Sequence, residues 1–66
     1  MKNDYENIGT PEYGDKVLYH TGGSFNEDNM VECEFMHNFG NITTVRVVST
    51  GKQIVRLHKE FYVKHK

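Results

Sequence analysis

The stretch MVECEFMHNF, residues 30–39, alternates apolar and polar side chains and is followed at once by Gly40-Asn41 and the β-branched run ITTVRVVS. Strict alternation over ten residues is the period of a half-buried strand, and Val, Ile and Thr favour the pleated sheet. Gly-Asn between two such runs is the sequence of a two-residue hairpin turn, with Gly40 supplying positive φ at the first central position. The odd-numbered residues Val31, Cys33, Phe35, His37 and Phe39 are expected to face the core, and Met30, Glu32, Glu34, Met36 and Asn38 the other side. These two strands must pair antiparallel. They commit the chain to a β fold.

The flanking sequence extends the pattern. Lys16 to His20 reads as a first strand launched by the Gly14-Asp15 turn, and a turn over residues 49–52 with Gly51 leads into a strand over residues 53–58. In that strand Val55 and Leu57 are expected inward, and Ile54, Arg56 and His58 outward. Lys59-Glu60 is a one-turn break before Phe61, Tyr62 and Val63, where Phe61 and Val63 complete the core. Between the first two strands lies TGGSFNEDN, a long polar loop whose only apolar residue is Phe25. Phe25 either plugs the loop back onto the domain or stands out as an anchor for a partner. Residues 1–13 keep neither period and read as a flexible arm, so the domain proper spans residues 14–66. Short antiparallel strands in so small a chain are best protected by curling, which predicts an all-β fold: a small, strongly bent antiparallel barrel of four to five strands.

Gly14-Asp15-Lys16-Val17-Leu18-Tyr19, the loop Gly22-Gly23-Ser24-Phe25 and the strand from Val31 to Phe35 resemble the start of SH3-like barrels of the KOW and Tudor type. The resemblance covers about 50 residues of strand order and spacing. Where the KOW pattern has a glycine before the second strand, Asn29 and Met30 stand. The resemblance implies a recognition surface built from the first long loop and an exposed strand edge. For KOW members it implies ribosomal or RNA-polymerase association.

Size and composition narrow the function classes. Sixty-six residues bury too little surface to wall a deep active site, and the single cysteine, Cys33, cannot form a disulfide within the chain. Cytoplasmic residence follows as an expectation, since the N-terminus shows neither a signal peptide nor an apolar span. Cys33 and His37, four apart on a strand, lie about 13 Å from each other, too far to share an ion. His20, His58 and His65 offer no ligand spacing either, so neither metal nor other cofactor is expected. Glu32 and Glu34 form an acidic stripe expected to face Arg46 or another basic residue across the hairpin, and a buried thiol without a cationic neighbour is inert. No enzyme and no small-molecule substrate are expected.

Charge is asymmetric under a net of −1. Residues 1–33 carry seven carboxylates against Lys2 and Lys16, and residues 34–66 carry six cations against Glu34 and Glu60. A protein partner is the first expectation, with Phe25, Glu27 and Asp28 of the loop and the adaptable Met30 and Met36 as its contacts. This suits a regulator that acts by occupying another macromolecule, in the size class of small bacterial and phage proteins. The alternative is nucleic-acid binding by Arg46, Lys52, Arg56, Lys59 and Tyr62, with few cations to neutralise phosphates. An aromatic cage for a methylated side chain would need Tyr19, Phe35, Phe39 and Tyr62 together.

Overall fold

The computed structural model describes residues 5–64. Six strands form one antiparallel sheet: β1 (Tyr5–Asn7), β2 (Lys16–His20), β3 (Met30–Phe39), β4 (Ile42–Val47), β5 (Gln53–Leu57) and β6 (Phe61–Lys64), in the order β1-β6-β2-β3-β4-β5. One-turn 3-10 helices at Glu27–Asn29 and His58–Glu60 precede β3 and β6. The all-β expectation holds, and the sheet is compatible with an SH3-like fold. The expected four to five strands become six, and the ladder is not closed, since it ends at β1 on one side and β5 on the other.

The additional strand comes from the segment expected to be a flexible arm. Tyr5, Glu6 and Asn7 pair with Lys64, Val63 and Tyr62 of β6, and both Tyr5 and Ile8 are buried. Asn7 Nδ2 donates to the carbonyls of Lys59 and Phe61 at 2.9 and 3.2 Å. Two isolated apolar residues among polar ones show no period, yet each finds a place on one side of the sheet. Residues 1–4 of that arm lie outside the described residues.

The core is Ile8, Val17, Cys33, Phe35, Val45 and Phe61, with Tyr19, Val31, Val47, Ile54 and Val63 packed around it. Gly40 has φ +65 between the paired residues Phe39 and Ile42, which is the expected two-residue turn. The register of β3 on β4 then shifts between Phe35 and His37. Met36 is the extra residue of this bulge, and beyond it the facing of β3 is inverted. Asn38 now opposes buried Thr43, while His37 and Phe39 turn outward. Phe39, expected in the core, is 87% exposed, whereas Phe35 is only 4% exposed.

The facing of β5 is likewise opposite to expectation. Its register sets Ile54 against buried Val45 and Arg56 against buried Thr43, so Val55 and Leu57 point outward. His58 leaves the strand and spans the space between the two ends of the fold. Its Nε2 lies 2.7 Å from the Gly9 carbonyl and its Nδ1 2.7 Å from Thr43 Oγ1. A carbonyl only accepts, so Nε2 carries the proton, and in the neutral ring Nδ1 accepts from the buried threonine hydroxyl.

Two variants test the inversion of β3. Phe61→Ala is expected to lower stability by about 3–5 kcal/mol, whereas Phe39→Ala leaves it within about 0.5 kcal/mol. Thermal unfolding reads both, and a comparable loss in Phe39→Ala would contradict an exposed Phe39. Thr43→Val deprives His58 Nδ1 of its donor and is expected to cost about 1–3 kcal/mol in the same measurement.

Candidate functional site

The long loop is fixed by its own polar side chains. Asn29 returns its carbonyl to the Thr21 N–H at 2.9 Å, and its Nδ2 donates to the Ser24 carbonyl at 2.8 Å. Asn26 accepts from the Asp28 N–H, which starts the turn at Glu27–Asn29. Gly23, at φ +77, lets the chain double back against Asn29, whose amide a Cβ there would meet at 3.3 Å.

So held, the loop lays Phe25 on the outer face of the sheet. Its ring stacks on His20 at 4.1 Å, meets Tyr62 edge-on at 5.0 Å and lies 6.2 Å from Tyr5. Phe25 is therefore the plug of the two readings and is half-buried. Lys64 bonds Glu27 at 3.1 Å and reaches over the Tyr5 ring, tying loop to sheet. The His20 Nε2 beneath is buried with no hydrogen-bond partner among the described residues, which opposes the closed position of the loop.

The residues expected to bind a protein are thus only partly assembled. Phe25, Glu27, Asp28 and Met30 belong to or border this loop, and Met30 pairs with His20 across β2 and β3. Met36 lies apart at the bulge, where its sulfur accepts from Gln53 Nε2. The nucleic-acid set is dispersed more widely. Tyr62 lies under Phe25, and Arg46 bonds Glu34 across β3 and β4. Lys16 bonds Glu32 at 2.6 Å on the same outer face, so the acidic stripe faces Arg46 as expected and is matched by a second cation.

Lys52, Arg56 and Lys59 remain, along the β5 side. None of them meets a carboxylate among the described residues. Arg56 instead lies over the Tyr19 ring at 5.5 Å and donates to the Tyr19 hydroxyl. Tyr19 and Phe35 face inward, Phe39 sits at a hairpin and Tyr62 faces outward, so the four make no cage. His65 and Lys66 lie outside the described residues.

Sequence reasoning missed a different surface. Phe39 opposes Ile42, Ile42 opposes Leu57, and Thr44 opposes Val55. These partners share the outer face, giving Phe39, Ile42 (40% exposed), Leu57 (37%) and Val55 (52%) one contiguous apolar patch across three strands. Its Leu57 end opens into a depression of about 450 Å³ lined also by Asn41, His58 and Lys59.

Burial pushes the Cys33 thiol up from its ordinary 9.0 to about 11, with the neighbouring Glu32 charge adding to the effect and a backbone hydrogen bond at Tyr19 opposing it. The S–H donates to the Val31 carbonyl at 3.4 Å. Among the described residues no three potential ligands cluster about a common point, and no helix is long and apolar enough to cross a membrane. Comparison of the chain with protein-family models, curated proteins and solved structures finds no match.

The thiol yields a signed prediction. The folded state holds the Cys33 proton more tightly than the unfolded state, so this contribution to stability is intact below pH 9 and declines as pH rises toward 11. A Cys33→Ala protein is expected to lose less stability than the parent between those pH values in denaturant titrations. At pH 8 a thiol reagent should label the parent only after unfolding.

Proposed function

We propose that the chain is a non-enzymatic protein-binding module, an SH3-like sheet of the KOW or Tudor type that acts as a regulator by occupying a partner protein. The observation that carries this reading is the patch of Phe39, Ile42, Val55 and Leu57, exposed on one face and in register across three strands. Large apolar side chains gathered on one face, rather than scattered, mark an interaction surface. The depression beside Leu57 gives the patch a place for an apolar side chain, the arrangement found where a few anchors carry binding.

This moves the binding surface from the loop to the β3–β4 hairpin and β5. Phe25 is held by three aromatic neighbours, so its engagement would first require the loop to lift, while Glu27 stays exposed beside Lys64. A nucleic-acid reading draws on Lys52, Arg56 and Lys59, whose charges are unmatched. Three phosphate contacts give weak, strongly salt-dependent affinity.

Photo-crosslinking from position 39 in cells that express the protein separates these readings. A protein adduct that disappears in Leu57→Glu and persists in Phe25→Ala is the expected result. An RNA or DNA adduct, or a protein adduct lost only in Phe25→Ala, would overturn the assignment of this surface.

A further inference from the structure

β5 ends the sheet, and two bonds fix which way its backbone points. The Val47 N–H donates to the Lys52 carbonyl and the His58 N–H to the Asn41 carbonyl, both at 2.7 Å. Because antiparallel bonding alternates, Ile54 and Arg56 direct their peptide groups to β4, and Gln53, Val55 and Leu57 direct theirs away from the sheet. Side chains cover two of those outward groups. Arg56 Nη1 donates to the Val55 carbonyl at 2.9 Å, and the Leu57 N–H donates to the Glu60 carboxylate at 3.3 Å. The Gln53 peptide groups and the Val55 N–H have no protein partner among the described residues, while Leu57, as N-cap of the turn His58–Glu60, has its carbonyl engaged by the first bond of that turn.

Charge and apolarity sort onto opposite sides of this edge. Val55 and Leu57 face outward with the patch, and Arg56 lies on the other face, with Lys52 and Lys59 at the two ends of the strand. Residues 50–59 contain no carboxylate, and Glu60 is the first acid after them. Elsewhere on the outer face Lys16, Arg46 and Lys64 each hold a glutamate. Among the described residues, the cations without a carboxylate partner are those flanking the open edge.

Resting on the protein-binding reading, we infer that β5 takes an extended segment of the partner as an added strand, one that alternates apolar residues with carboxylates. Its backbone completes the outward groups of Gln53 and Val55, its apolar side chains continue the face of Val55 and Leu57, and its carboxylates meet Arg56, Lys52 and Lys59. Arg56 and Glu60 act as side-chain covers that the segment displaces. A second copy of this chain fits poorly, because antiparallel pairing of β5 with itself sets Arg56 near its counterpart and adds no acid.

The test uses the isotopically labelled full chain with two blocked seven-residue peptides, one alternating valine with glutamate and one alternating valine with lysine. The glutamate peptide is expected to slow amide exchange at Gln53 and Val55 by about tenfold or more, leaving Ile54 and Arg56 as they were. Arg56→Gln should weaken its binding about twofold to fivefold, and Glu60→Ala, which uncovers the Leu57 N–H, should strengthen it about threefold. The lysine peptide should not bind.

Glutamate-peptide shifts at Phe39 and Ile42 without slowed exchange at Gln53 and Val55 would overturn strand addition while agreeing with a protein-binding face. Concentration-dependent dimerisation of Glu60→Ala, with the same residues protected in the absence of peptide, would overturn the acidic segment in favour of a second copy. No response to the glutamate peptide would also overturn the inference, and the crosslink from position 39 would then judge the protein-binding reading by itself.

Discussion

The bulge at Met36 is the constraint on which the rest of the molecule depends. Core packing requires Phe35 and Val45 to face inward together, and the turn at Gly40-Asn41 requires Phe39 to oppose Ile42. Both conditions cannot be met by a regular ladder, because counting back from the turn would set Val45 against outward-facing Met36. One additional residue in β3 resolves the conflict and bends the strand there. The bend turns the far halves of β3 and β4, with β5, around the core. It also carries Phe39 from the inner side to the outer one, so the same residue that shapes the sheet creates its apolar patch.

The geometry of the two ends follows from that bend. β5 comes round toward the first segment of the chain without pairing with it, and His58 spans the gap between Thr43 and Gly9. Arg56 reaches Tyr19 on β2 across the interior side. These side-chain bridges hold the curled sheet while leaving the outward peptide groups of Gln53 and Val55 unpaired by backbone. A closed ladder would satisfy those groups and leave no edge for recognition. The open edge is instead guarded by Arg56 and Glu60, in keeping with the protection that exposed strand edges need against indiscriminate pairing.

Much of this was legible in the residues. Alternation located β3, β-branched residues located β4, and Gly40-Asn41 gave the hairpin with its positive φ. The bulge was legible in principle, since β3 and β4 each had a clear inner face and the turn between them fixed a register that set those faces at odds. Period alone could not show it, because the apolar residues on both sides of Met36 continue the same alternation. The facing of β5 failed for a related reason. Ile54, Val55 and Leu57 are all apolar, so only the register from buried Thr43 and Val45 decides which of them turns inward. Tyr5 and Ile8 were too few to signal β1, and their burial depends on β6, more than 50 residues away along the chain, and for Ile8 on core residues spread from Val17 to Phe61.

The charge asymmetry takes on a definite meaning once the strands are placed. Of the three ion pairs among the described residues only Glu27 with Lys64 joins an acid of the first half to a cation of the second, while Glu32 with Lys16 lies within the first half and Glu34 with Arg46 within the second. Pairing across the fold therefore uses up the cations of β2, β4 and β6. The strand at the opposite edge from β1 has only Glu60 nearby, and that carboxylate is engaged by a backbone N–H rather than by Lys59 or Arg56. Exposed ion pairs contribute little to stability, so the fold does not require the β5 cations to be matched. In the proposed strand addition their contribution is to the field along the edge, which would favour acidic segments over a second copy of the same strand. On the proposed reading, apolar area on the outer face and cationic charge along the edge favour one chemistry of partner, and the bulge at Met36 is what places Phe39 on that face.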